Sequence, residues 1–305
     1  MKVLNLTEGF KPFESLEELS FEAFIFHGGE PHFKLLTNEN NIFSEEEEEE
    51  ILITCRIGNF EHLGILLLSV DAIRRIFPYI EISLFLPYFP GARQDRAPKG
   101  EALTAKIYAD IINNLFLSRV LIVDPHSDVA TALLNNCVVI TNFFFVRDSL
   151  AEIEHLEDKV PYLITPDAGA SKRMWALQEK LYKDYGDIYL TAQGSKHRDM
   201  STGALSGFSI DKEDFEQRPC VIIDDICDGG GTFLGLAKEL KKSDAGNLYL
   251  IATHGIFSKG LRELNKTFER MYTTDSIFSV EDKKTSLLYD NEMHKLTQFK
   301  LSNYV

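Results

Sequence analysis

The sequence predicts an α/β protein with mostly parallel sheets. Short apolar runs rich in β-branched and aromatic residues recur along the chain, and helix-period patterns lie between many of them. A strand–turn–helix plan that repeats in both halves further predicts two similar domains.

The strands are "EAFIF", "ILITC", "ISLFL", "VLIVD", "VVITN", "YLITP", "IYLTA", "CVIIDD" and "LYLIATHG". "GILLLSVDAIRRIF", "EALTAKIYADIINNLF" and "FLGLAKELKK" read as helices. In the second helix, Leu103, Ile107, Ile111 and Leu115 fall on one face at four-residue spacing, and Glu101 in the opening turn suits the helix dipole. The repeated plan is an apolar strand, an aspartate at its end, a polar turn and a helix. It appears in "RVLIVDPHSDVATALL" and "PCVIIDDICDGGGTFLGL", with a third copy of the strand end in "YLITPDAGASKRMWALQEKL". Two α/β domains joined near residues 143–150 account for it. Ligands of open α/β sheets sit at the carboxyl ends of strands, which is where these aspartates stand. The acidic run "SEEEEEE", Ser44 to Glu50, reads as a solvated loop.

Composition sets the outer limits. A chain of 305 residues, 44% hydrophobic and 26% charged, suits one to about three domains with a large core. Its net charge of -15 repels nucleic acid and anionic membrane, so neither is expected as a partner. An anionic substrate needs a local cluster of cations, backbone N–H groups or metal. No run reaches the ~18 apolar residues of a membrane span, and "MKVLNLTEGFKPF" lacks a signal-peptide layout. The cysteines Cys55, Cys137, Cys220 and Cys227 show no C-x-x-C spacing and read as buried reduced thiols. A cytoplasmic location is expected.

The chemistry concentrates in "CVIIDDICDGGGTFLGLAKEL". Asp228, Gly229, Gly230, Gly231 and Thr232 form a glycine loop at a helix start, where N–H groups and the Thr232 hydroxyl can converge on phosphate. It is not a Walker loop, because no Gly-Lys-Ser/Thr follows. A capped glycine turn is the plain alternative. Asp224 and Asp225 tip the balance, because paired carboxylates accept hydrogen bonds from a diol or hold magnesium. Phosphate at one end and a diol beside it describe a ribose phosphate.

Other clusters belong to a polyphosphate site. Arg93 and Arg96 carry planar donor forks, and Gln94 offers paired donor and acceptor atoms to an adenine edge; a surface network around Asp95 is the alternative. Asp124 and His126 stand at a strand end, where they could hold magnesium or a phosphate oxygen. Lys196 and Arg198 lie in the polar segment "TAQGSKHRDMSTG", read as a mobile loop able to close over a transferring group, or as a solvated loop and no more.

These motifs resemble a known family. "VIIDDICDGGGT" is similar to the ribose-5-phosphate loop of phosphoribosyltransferases and of ribose-phosphate diphosphokinases (PRPP synthases). "PYFPGARQDRAPKGEALTAKIYADII", "VLIVDPHSD", "LITPDAGASKR", "SKHRD" and "THGIFSKG" resemble segments of the second family, in family order from about residue 20 to 279. The resemblance implies two tandem phosphoribosyltransferase-like domains, each a mostly parallel sheet flanked by helices. One spans residues 1–145 on the ATP side, joined by 290–305, and the other spans 146–289 on the ribose 5-phosphate side. It implies transfer of the diphosphoryl group of ATP to the C1 hydroxyl of ribose 5-phosphate, with Mg2+ and a homo-oligomer, dimer or hexamer.

By resemblance, Lys196, Arg198 and His126 are catalytic, and Asp124, His126 and Asp167 hold metal. Phe26, Glu30, Arg93, Gln94, Arg96 and His126 take ATP; Asp224, Asp225 and residues 228–232 take the ribose phosphate. The chain departs from the family at Gly28, Ala170 and Gly229. A phosphoribosyltransferase that consumes PRPP shares the loop but not "ARQDR" or "DPHSD". A homologue without catalysis that binds nucleotides is a further alternative.

Overall fold

The computed structural model of the chain describes residues 1–36, 50–198, 205–280 and 290–305; the side chains of residues 197, 198, 205, 206 and 290–292 fall outside that set. The chain divides into two compact units, residues 1–141 with 300–305, and residues 142–299.

The first unit runs β1 (Lys2–Asn5), β2 (Glu17–Glu18), β3 (Phe21–Ile25), β4 (Pro31–Leu35), β5 (Glu50–Thr54), α1 (Phe60–Ile76), β6 (Glu81–Phe85), α2 (Thr104–Asn113), β7 (Arg119–Val123), α3 (Asp128–Leu133) and β8 (Cys137–Ile140). Its main sheet has the order β2-β1-β5-β6-β7-β8, and every pairing is parallel. Strands covered on both faces read as continuous apolar runs, and Ile51, Leu52 and Ile53 are buried accordingly. β3 and β4 form a separate antiparallel hairpin. The side chain of Asn59 caps α1 by accepting from His62 N–H at 2.9 Å.

The buried face of α2 differs from the face expected. Ala105, Ala109 and Ile112 are buried, whereas Ile107 is 49% exposed. Two of the three buried residues are alanines, which core burial accepts without apolar bulk. A four-residue spacing also drifts by roughly 40° per step on a helix of 3.6 residues per turn, so the apolar row slides off one face.

The second unit runs α4 (Phe143–Leu156), β9 (Tyr162–Thr165), α5 (Ala168–Tyr185), β10 (Leu190–Arg198), β11 (Leu205–Ile210), β12 (Cys220–Cys227), α6 (Gly231–Lys242), β13 (Leu248–Gly255), α7 (Arg262–Thr267), β14 (Arg270–Thr274) and β15 (Leu296–Phe299). The sheet order is β11-β10-β9-β12-β13-β14-β15, parallel except for β10–β11. Every residue of β13 is buried.

Segment 290–305, expected to join the first domain, is divided. Leu296–Phe299 pairs with Met271–Thr274 in the second sheet, and only residues 300–305 belong to the first unit. Leu301 draws the chain end there, buried with Phe10, Leu52, Phe85 and Val123. The segment "TAQGSKHRDMSTG", expected as a loop, is strand through Arg198, and its residues 199–204 lie outside the described set. Most of the acidic run "SEEEEEE" lies outside it too; Glu50 opens β5 and pairs with Arg119 at 2.6 Å. All four cysteines are free thiols, and burial pushes those of Cys55 and Cys220 up to about 12. Among the described residues, no helix is long and apolar enough to cross a membrane.

Candidate active site

In the second sheet β9 leads to β10 on one side, and β12 lies on its other side, so the winding reverses between β9 and β12. That reversal opens a crevice at the strand ends, where α/β sheets bind ligands. The predicted residues of this unit gather there. Asp167 follows β9 and caps α5, accepting from Ala170 N–H at 3.1 Å. Lys196, on β10, reaches Asp167 Oδ2 at 2.8 Å. Burial works against a charged Asp167, but Lys196 and the N–H groups of Ala170 and Gly169 prevail and hold its carboxyl below the usual range.

Asp224 and Asp225 lie at the end of β12, past the last β9 pairing at Ile222–Ile164. Asp225 is 2% exposed. Arg173, on α5, donates from Nη2 to Asp225 Oδ1 at 2.9 Å and Asp224 Oδ1 at 3.2 Å. Burial pushes Asp224 well up, its neighbour Asp225 pushes it further, and Arg173 only partly offsets them. Arg173 was missed from sequence. Its one signal was a position six residues beyond Asp167, on the helix that leaves the strand end.

The glycine loop follows. Gly230 has φ of 73°, the left-handed conformation that favours glycine, and precedes the first turn of α6. Gly231 opens that helix, and Thr232 is half-buried in its first turn. The Asp228 carboxylate accepts from the Ser258 hydroxyl. Ala170, where the family has glycine, is buried inside α5 and is accommodated there. The backbone of Arg198 ends β10, and its side chain is outside the described residues.

The first unit holds its own candidates. Asp124 follows β7, is 8% exposed, and has φ of 39°, a strained setting that aspartate tolerates better than most residues. His126 is exposed two residues on. Arg93, Gln94 and Arg96 are exposed in the turn after β6, tied by Gln94 N–H to Gly91 O at 2.9 Å. Phe26 and Glu30 face each other across the hairpin tip, Phe26 N–H donating to Glu30 O at 2.9 Å. Gly28 between them is not left-handed, and a Cβ there would meet only Glu30 Oε2, at 3.9 Å. Among the described residues, no three His, Cys, Asp or Glu side chains converge on one point. Magnesium takes one or two carboxylates and completes its shell with water and substrate phosphate, and Asp167 at the end of β9 is a donor of that type.

No family model matches the chain. The ribose-phosphate pyrophosphokinase of Vibrio cholerae is 31% identical over 230 residues, 73% of this chain and 69% of that protein. Ribose-phosphate pyrophosphokinase 2 of Schizosaccharomyces pombe is 30% identical over 251 residues, 80% of this chain and 74% of that protein.

The chain belongs to the ribose-phosphate pyrophosphokinase family.

The fold agrees. The crystal structure of phosphoribosylpyrophosphate synthetase from Mycobacterium smegmatis superposes with a TM-score of 0.74, covering 99% of this chain and 95% of that one, at 19% identity. The two tandem phosphoribosyltransferase-like domains of this pyrophosphokinase family are the two units described above.

Proposed function

We propose that the chain is an active ribose-phosphate diphosphokinase, converting ATP and ribose 5-phosphate to AMP and PRPP. One observation carries the reading: an aspartate pair, with Asp225 buried, and a phosphate-type glycine loop follow one another at the sheet's winding reversal, with Lys196 on β10, two strands from β12. The loop takes the 5-phosphate, and Asp224 and Asp225 take the ribose hydroxyls. The C1 hydroxyl oxygen forms a bond to the β-phosphorus of ATP. The bond from that phosphorus to the bridging α-oxygen breaks, AMP leaves with the electron pair, and the hydroxyl proton passes to solvent or phosphate.

Little covalent work falls to the protein, so positioning and charge neutralisation dominate. Lys196 and Arg198 neutralise charge on the transferring group; Arg93, Arg96 and His126 hold the ATP phosphates; Gln94, Phe26 and Glu30 take the adenine. Mg2+, when bound, screens the polyphosphate charge, with Asp124, His126 and Asp167 as the side chains offered to it. The enzyme is read as cytoplasmic and as a homo-oligomer, dimer or hexamer.

The test is AMP formation from ATP, dependent on both ribose 5-phosphate and Mg2+. Release of diphosphate from PRPP and a base, without that activity, would favour a phosphoribosyltransferase. Nucleotide binding without turnover would favour a homologue that has lost catalysis.

A further inference from the structure

Gly229 stands where the family's loop carries threonine, yet its φ is outside the left-handed region, so the backbone does not require glycine. A neighbour instead occupies the adjoining space. A Cβ at 229 would lie 3.2 Å from Cδ, 3.3 Å from Cε and 3.4 Å from Cγ of Lys259. The lysine stem fills the space that a side chain at 229 would take, and the ammonium is one bond beyond Cε. This placement is anchored. The N–H groups of Ile256 and Phe257 donate to Cys227 O at 2.8 and 3.1 Å, and Ser258 donates to Asp228, so the three residues before Lys259 are tied to the end of β12 and the start of the loop. Among the described residues, no carboxylate pairs with the Lys259 ammonium.

Charge supplies the second half of the argument. Asp224 and Asp225 precede the loop in the chain and Asp228 opens it, within a chain of net charge -15. A phosphate dianion entering there meets repulsion that neutral N–H groups only partly offset, and a lysine beside the loop counters it as a point charge. We propose that Lys259 is a specificity-determining residue of the ribose 5-phosphate site. Its ammonium contacts the 5-phosphate over residues 228–232, replacing the donor that a hydroxyl at 229 would supply. The inference rests on the functional reading above.

Calorimetric titration of ribose 5-phosphate, ribose and ATP into the parent, Lys259→Met, Lys259→Ala and Lys259→Ala/Gly229→Thr tests it, beside the AMP assay. Lys259→Met keeps the stem and removes the charge; it should weaken ribose 5-phosphate about tenfold, as loss of a charge-assisted hydrogen bond does, and leave ATP and ribose unchanged. In the double variant the threonine has room and should recover part of the loss seen in Lys259→Ala. Ribose 5-phosphate affinity within twofold of the parent in Lys259→Met overturns the proposal, as does equal weakening of all three ligands. If the parent makes AMP while Lys259→Met binds normally, only this inference fails. A parent that makes no AMP removes the functional reading and this inference with it.

Discussion

Lys196 and Asp167 meet at 2.8 Å past the ends of the β10–β9 pairing, so the cation proposed for the transferring group is held by a carboxylate at the strand ends. Lys196→Ala should lower turnover on the order of a thousandfold, as other lost electrostatic donors do, while ATP affinity changes far less. Steady-state kinetics beside direct ATP titration checks this, and turnover within threefold of the parent would remove Lys196 from the mechanism. Arg173 makes a second test at the same scale. Through one nitrogen it contacts both carboxylates of the pair, and Asp225 has almost no access to water. Arg173→Met should therefore lower stability by about 1–3 kcal/mol, the penalty of a buried acceptor left unmatched, as read by denaturant unfolding. Asp225→Ala should weaken ribose 5-phosphate and leave ATP binding nearly intact. Equal loss of both ligands would mean that the aspartate serves a shared metal or the fold.

Helix α2 shows where pattern reading fails at the scale of an element. The large apolar side chains of "EALTAKIYADIINNLF" drew the expected face, but the residues fully buried in the core are Ala105, Ala109 and Ile112, two of them small. Hydropathy weighs a side chain by its apolar bulk, whereas packing also selects for its lack. Ala109→Leu should therefore destabilise the protein by about 1–3 kcal/mol through overpacking. Ile107→Ala, at a half-exposed site, should stay within about 0.5 kcal/mol. Thermal unfolding of the two variants compares them, and the reverse order would restore the face drawn from sequence. The β10–β11 hairpin is the complementary case. Its polar residues read as a loop, yet Gly194 through Arg198 pair with Leu205 through Ile210, because backbone hydrogen bonding to a sheet edge does not depend on apolar side chains.

For the whole molecule, the aspartate pair makes stability depend on pH. Burial raises the folded-state pKa of Asp224, Asp225 raises it further, and Arg173 lowers it only in part. A carboxyl raised in the folded state supports folding below its ordinary pKa, and that support is lost as pH rises through the raised value. Asp224→Asn should therefore raise the melting temperature relative to the parent at neutral and alkaline pH. The difference should close as pH falls below the ordinary carboxylate range. Ribose 5-phosphate affinity should fall in the same variant, because the destabilising carboxylate is one of the two proposed to accept from the sugar. A melting-temperature difference that does not vary with pH would show that Asp224 carries no such burden in the folded protein.

The sequence by itself determined the α/β class and most of the parallel strands, and it supplied the candidate residues from which the proposed site is read. Those signals are local: an apolar run followed by aspartate, or glycines at a helix start, is written in consecutive residues. Tertiary structure alone decided the rest. It divided the C-terminal segment, because burial of Leu301 and the pairing of Leu296–Phe299 with β14 join residues far apart in the chain. It put Arg173 on the aspartate pair, because the early turns of α5 come within side-chain reach of Asp224 and Asp225 on β12. It also laid the Lys259 stem beside Gly229, some thirty positions away in the sequence, where a Cβ at 229 would lie 3.2 Å from its Cδ. Periodicity and motif register neighbours along the chain, whereas a charge network forms wherever the fold brings its members together.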